Sequence, residues 1–285
     1  MEIKKVAVIG SGVMGRQIAM QIAISGYEVV CYSNCEDSIL QAKEFSKNWF
    51  RKNIDKGKMT ENVSNEIQNR LIFTTELQVA VTNSDLVIEA VVELVDIKRS
   101  VLEEIDALTP AHTIFASNSS YIVSSEFAHV VKNPGKVLNL HFFVPALVMK
   151  LVEIVKGPHV SDETIEVMME FTKSIGKEPV LVHKEIYGFI VNRIFSAITQ
   201  EACYLFEQDI AGIEDIDRAI KLGLSHQMGP FELLDLTGID VNYDVQMARY
   251  KDTGNLSDKP SPSLVERYAR GQYGRKTKKG YYDYE

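Results

Sequence analysis

Two constellations in the 285-residue chain carry recognisable chemistry. Gly10, Gly12 and Gly15 in GSGVMG stand directly after the apolar run KKVAVIG and directly before MGRQIAMQIAISG, which has helical periodicity. A strand, a turn of three spaced glycines and a helix make a phosphate cradle: the first glycine permits the tight turn, the second lets backbone approach a pyrophosphate, and the third lets helix and strand pack closely. Glycine turns also occur in α/β domains that bind no nucleotide. The second constellation is His141, at the end of the apolar VLNLHFF, and Glu153, twelve residues on inside KLVEIV. An ionisable group in an apolar strand is costly unless paired, so two on consecutive strands are expected to pair with each other. A carboxylate-held imidazole can move a proton, although a histidine in such a place is more often a satisfied core residue.

About twenty residues after such glycines an Asp or Glu ordinarily receives the adenosine ribose. YEVVCYSN places Ser33 there, and Asn34, Cys35, Glu36 and Asp37 follow without a Lys or Arg. The neutral side chain removes a charge that would repel a 2′-phosphate, while nothing adjacent welcomes one. NAD and NADP are both left open, and weak discrimination between them is expected. Farther on, Lys43, Lys47 and Arg51 recur at a spacing of four and share one helix face, extended by Lys52, Lys56 and Lys58. Such a stripe is either a solvated face or a contact for an anionic ligand.

These residues need elements to hold them. KKVAVIG, YEVVCY, LVIEAVV, TIFASN, VLNLHFF, LVEIV and PVLVH read as strands separated by helical patterns, several of them continuously apolar as parallel strands covered on both faces are. The alternation predicts a doubly wound α/β domain over 1–184. After residue 184 the β-branched runs stop, and GFIVNRIFSAITQEACYLFEQ, IEDIDRAIKLGL, FELLDLTGIDVNYDVQMARY and SPSLVERYARG carry helical periodicity, predicting a smaller all-α domain over 185–285 with a loop at 252–262. A 45% hydrophobic content suits a buried core, and a net charge of −8 gives no overall basic field for nucleic acid or an anionic membrane surface. No stretch has the length of a membrane span and no cleavable leader is evident, while three cysteines without a CxxC cluster argue against disulfides and structural metal. A reduced, cytoplasmic setting is expected, with no metal, nucleic-acid or membrane partner.

GSGVMG, LVIEAVVE, FASNSS, HFFVPALVMKLVEIVKG, GFIVNR, MGPFELLD and GRKTKKGYYDY, in this order from Val6 to Tyr284, resemble the 3-hydroxyacyl-CoA dehydrogenases, most nearly the bacterial 3-hydroxybutyryl-CoA dehydrogenases. The resemblance implies a Rossmann-like first domain and NAD(P)-linked interconversion of a short-chain L-3-hydroxyacyl-CoA and its 3-oxoacyl-CoA, in the setting of fatty-acid and butanoate metabolism. It implies a His141–Glu153 catalytic dyad, with Ser120 and Asn192 holding the substrate oxygens. Gly10, Gly12, Val13, Met14, Gly15, Ser33, Glu93, Lys98, Ser120, Val144 and Lys276 match cofactor-contacting positions. Phe50 and Lys56 fall where the CoA moiety is contacted, and the helical domain is where subunits pair, so a homodimer is implied. Five positions depart from the family pattern: Ser33 for the ribose-binding acid, Val144 for an Asn, Phe50 for a Ser, and Leu147 and Tyr187 for prolines. These departures keep two alternatives in view: a dehydrogenase of a non-thioester 3-hydroxy acid, carnitine- or gulonate-like, and a non-catalytic nucleotide-binding relative.

Overall fold

The computed structural model describes residues 1–285, the side chain of Asp252 excepted. Residues Met1–Ile190 form one compact unit and Val191–Glu285 a second. The first unit runs β1 (Lys5–Ile9), α1 (Val13–Ile24), β2 (Glu28–Tyr32), α2 (Glu36–Asp55), α3 (Glu61–Asn69), β3 (Leu71–Thr74), α4 (Leu77–Val81), β4 (Leu86–Glu89), α5 (Val95–Leu108), β5 (Ile114–Ser117), β6 (Val137–Phe142), β7 (Leu151–Val155), α6 (Asp162–Ser174) and β8 (Glu178–Val182). The sheet order is β3-β2-β1-β4-β5-β6-β7-β8. Every pairing is parallel except β6 with β7.

The continuous apolar runs become strands covered on both faces, as parallel sheets require. Val6, Val8, Leu86 and Ile88 face a core shared with Ile18 and Ile22 of α1, while Ala7, Ile9 and Val87 face Leu102 and Ile105 of α5. Strand β3 escapes the sequence reading because it has four residues, lies at the sheet edge and buries only Leu71 fully. On α2 the buried residues Ile39, Ala42, Ser46 and Phe50 recur at helical spacing, and Lys43, Lys47 and Arg51 are exposed.

Residues 185–190 stay with the first unit, beyond the expected junction at 184, because Phe189 packs on Val155 and Val182 and the Ile190 N–H donates to Glu153. The second unit holds α7 (Val191–Glu207), α8 (Ile213–Leu224), α9 (Pro230–Thr237), α10 (Ile239–Thr253) and α11 (Pro262–Ala269). The single helical pattern from Phe231 to Tyr250 is broken in two at Gly238, whose φ of 100° lies outside the helical range. Helix α10 runs into the expected loop at 252–262 and ends at left-handed Gly254, and Leu256–Asp258 form a 3₁₀ turn. The C-terminal segment is fixed by Asp235, which accepts from the Tyr281 and Tyr282 N–H groups and the Tyr284 hydroxyl, each at 2.9 Å.

Candidate active site

The three glycines have different jobs. A Cβ on Gly10, at φ +107°, would meet the Ala90 carbonyl oxygen at 2.4 Å, and one on Gly15 would meet the Gly10 carbonyl at 1.7 Å, so the fold requires both. A Cβ on Gly12 would meet nothing within 4 Å. The space beside Gly12 is left open at the N-terminus of α1, whose first turn carries no acid. Ser11, 3% exposed, has a side-chain oxygen with no partner among the described residues. Open backbone, helix N–H groups and an orphaned hydroxyl suit a pyrophosphate. They line a cleft of about 550 Å³ that continues past Ser33 and Asn34 to Leu77, Val91, Val101 and Glu104. Val13 begins α1 exposed, and Met14 packs on the core below.

Where β4 and β5 end, Glu89 and Ser117 are register partners. Glu89 and Lys98 are both 0% exposed. The Lys98 ammonium donates to both Glu89 oxygens at 2.9 Å, while Ser117 Oγ and the Val91 N–H donate to the same carboxylate at 2.6 and 2.7 Å. Lys98 lies 3.2 Å from Glu93 as well. Glu93 in turn accepts from Ser119 Oγ and from the N–H groups of Ser120 and Tyr121, both at 3.1 Å. Burial works to raise the Glu93 pKa, but the Lys98 charge and the hydrogen bonds from Ser119 and Tyr121 outweigh it, and the net shift is downward. Lys98 therefore corrects an expectation: a fully buried ammonium has no surface for a cofactor, and it acts through Glu93, which clamps the loop carrying Ser120.

The antiparallel turn back of β7 on β6 makes His141 and Glu153 direct cross-strand partners. His141 Nδ1 lies 2.8 Å from Glu153 Oε2, and Glu153 Oε1 accepts from the Ile190 N–H at 3.0 Å. Glu153 is 0% and His141 4% exposed, with Phe143 and Phe189 flanking the imidazole at 4.5 and 5.5 Å. A carboxylate only accepts, so Nδ1 carries the hydrogen and the Nε2 lone pair faces the other way. Asn118, at the end of β5, accepts from the Phe142 N–H at 3.0 Å, and Asn139 of β6 donates to the Ile122 carbonyl at 2.9 Å. Ser120 is thereby anchored from both sides of its loop. The loop following β6 is braced by Lys177, 5% exposed, which donates to the Ala146 and Met149 carbonyls at 2.6 and 2.8 Å. Burial lowers the Lys177 pKa. Val144 stands on this loop, 62% exposed.

Other expected site residues fall elsewhere. Phe50 is 1% exposed, edge-on to Trp49 within the core, so it offers nothing to a ligand and that assignment is corrected. Lys56 caps α2 in solvent. In the second unit Asn192 lies in the first turn of α7, and Lys276 pairs with Asp240 of α10. Glu89, Asn118, Ser119, Asn139 and Lys177 went unread in the sequence, although a Glu inside LVIEAVV carries the same cost signal as Glu153.

Residues 5–186 match the family model of the 3-hydroxyacyl-CoA dehydrogenase NAD binding domain, and residues 188–284 that of the 3-hydroxyacyl-CoA dehydrogenase C-terminal domain. The mitochondrial hydroxyacyl-coenzyme A dehydrogenase of Homo sapiens is 39% identical over 99% of this chain and 92% of its own length. The 3-hydroxybutyryl-CoA dehydrogenase of Clostridioides difficile is 38% identical over 98% of this chain and 99% of its own length. The crystal structure of (S)-3-hydroxybutyryl-CoA dehydrogenase from Ralstonia eutropha superposes with a TM-score of 0.93 at 32% identity, covering 100% of both chains. A dinucleotide cradle of the right shape, two family models that together span the chain and full-length relatives of this identity place the chain in the 3-hydroxyacyl-CoA dehydrogenase family.

Proposed function

We propose that the protein interconverts a short-chain L-3-hydroxyacyl-CoA, such as 3-hydroxybutyryl-CoA, and the 3-oxoacyl-CoA, with His141 and Glu153 as the proton-transfer pair. The observation that carries this reading is the 2.8 Å contact from His141 Nδ1 to a fully buried Glu153, which leaves Nε2 as base. In the oxidative direction Nε2 takes the C3 hydroxyl proton as the C3–H bond breaks, and Glu153 stabilises the imidazolium formed. The chemistry that a bound nicotinamide supplies is acceptance of that hydride. Ser120 is the hydroxyl that donates to the developing C3 oxyanion, held by the Glu93 clamp, and Asn192 is the second donor on family grounds. Gly10, Ser11 and Gly12 hold the pyrophosphate and Ser33 the adenosine ribose.

The thioester reading is favoured over a free hydroxy acid by the basic residues of α2 and of the turn that follows it. Lys43, Lys47, Arg51, Lys52, Lys56 and Lys58 make no ion pair among the described residues, in a chain whose net charge is −8. Such a surface attracts the phosphates of CoA. Leu222 and Leu224 of α8, with Ile194 and Tyr204 of α7, stand more than half exposed and support homodimerisation through the second unit.

Initial rates with acetoacetyl-CoA and with free acetoacetate, each with NADH and NADPH, test the reading. Turnover of the thioester at least about a hundredfold above the free acid is expected. Equal or reversed rates would overturn it in favour of a non-thioester substrate, and no turnover of either would leave a binding protein.

A further inference from the structure

The cleft beside Gly12 lacks the acid that ordinarily reads the ribose, and Ser33 offers only a hydroxyl, which accepts from the Cys35 N–H at 3.3 Å. Charge nevertheless lines the same cleft. Ile97, Val101 and Glu104 recur at spacings of four and three along α5, so one face of that helix lines the cleft and ends in a carboxylate. Among the described lining residues Glu104 is the charged one, and none is a Lys or Arg. In sequence, Glu36 and Asp37 follow Asn34 in the first turn of α2, and Glu76 precedes the lining residue Leu77. Tyr32, which ends β2 and lines the same cleft, has its hydroxyl pKa raised first by burial and then by the Glu104 charge.

We infer that Glu104 is the residue by which this chain selects a dinucleotide without a 2′-phosphate, replacing from α5 the discrimination that an acid after β2 would give. The inference rests on the dehydrogenase reading above and goes beyond it by naming the residue that turns away a 2′-phosphate. A 2′-phosphate adds about 1.5 to 2 negative charges at neutral pH, and in this cleft it meets a carboxylate and no cation to offset it. The adenosine of NAD brings no such charge. Because Glu104 is solvent-exposed, its repulsion is screened, and selectivity falls as salt rises.

The test measures NADH and NADPH affinity directly, by titration calorimetry on the full-length protein, alongside steady-state rates. The wild type should bind NADH at least about tenfold more tightly than NADPH at low ionic strength, and Glu104→Gln should bring the two to within about threefold. Ser33→Asp added to Glu104→Gln should restore the preference. Glu103→Gln makes the same change in net charge one position along α5, away from the cleft lining, and should leave the wild-type ratio in place. Wild-type affinities within threefold of each other, an unchanged ratio in Glu104→Gln, or an equal shift in Glu103→Gln would each overturn the assignment while leaving the dehydrogenase reading intact. If neither dinucleotide binds the wild type, both fall together.

Discussion

Lys98→Met is the perturbation that most directly tests how the Ser120 loop is held. Lys98 and Glu89 are each fully buried and joined by two contacts of 2.9 Å. Methionine keeps the stem and removes the ammonium, so Glu89 is left with the Val91 N–H and Ser117 hydroxyl but no opposite charge. Breaking a buried ion pair by deleting one partner costs about 3–5 kcal/mol, because an uncompensated charge stays in the interior. That is a large share of the roughly 5–15 kcal/mol by which domains are ordinarily stable. For a unit of this size each kcal/mol lowers Tm by about 2–4 °C, so Lys98→Met should melt roughly 6–20 °C below wild type by circular dichroism. Glu89→Gln added to Lys98→Met removes the stranded charge and should recover more than half of the loss. The variant should also weaken NADH binding, since Glu93 loses the cation that fixes it over Ser119–Ile122. A Lys98→Met protein melting within about 2 °C of wild type, or a double variant no more stable than the single, would refute this account of the network.

Four further outcomes are expected. His141→Ala and Glu153→Gln should each lower turnover on a 3-hydroxyacyl-CoA by about a hundredfold or more while NADH affinity, read by calorimetry, changes by less than about threefold; near-normal turnover in a folded variant would remove the dyad. Gly12→Val should keep a near-wild-type melt yet lose dinucleotide binding, whereas Gly15→Ala should fail in the melt itself, because its Cβ falls 1.7 Å from the Gly10 carbonyl. Phe50→Ala should cost about 3–5 kcal/mol in denaturant unfolding, with no loss of acyl-CoA affinity in the folded protein; weaker acyl-CoA binding alone would return Phe50 to the ligand surface. Glu93 has its carboxyl pKa held below the ordinary 4.5, so it contributes stability above that value, lost as pH falls through the lower folded value. Wild type should therefore melt above Glu93→Gln from pH 5 to 7, with the gap narrowing progressively as pH falls below 4.5, and a gap that stays constant on acidification would count against the clamp.

Much of the sheet is legible because parallel strands leave a plain mark: VAVI, LVI and VLNL are mainly apolar, and each proves buried on both faces. The strand that left no mark, LIFT, is an edge strand with one fully buried residue, so it carries neither a continuous apolar run nor a clean alternation. The break at Gly238 is hidden for a different reason. Leu233 and Leu234, Ile239 and Val241 keep helical spacing across it, and only the backbone angle of the glycine separates the two helices. The antiparallel run of β7 is equally silent, since LVEIV looks the same in either direction.

The site shows where one rule of cost reaches and where it stops. An ionisable residue in an apolar strand must find a partner, and that rule leads from Glu153 to His141 without any structure. Applied to the Glu of LVIEAVV it leads equally to Glu89, whose partner is Lys98, nine residues on in a helix rather than on the next strand. Sequence position alone does not separate the two cases, and the family resemblance that puts Lys98 at a cofactor-contacting position does not reveal that its charge is spent on the interior. Phe50 fails in the opposite sense: a family position that contacts ligand carries a large apolar side chain here, and the α2 periodicity of Ile39, Ala42 and Ser46 already assigns it to the core face. Where local periodicity and family position disagree, burial decides in favour of periodicity, because placing a phenylalanine in water gives up about 1.5–3 kcal/mol that the core returns. The same reasoning applied to α5 puts Ile97, Val101 and Glu104 on one face, and a carboxylate that ends an apolar stripe along a cleft is positioned to act on what enters it.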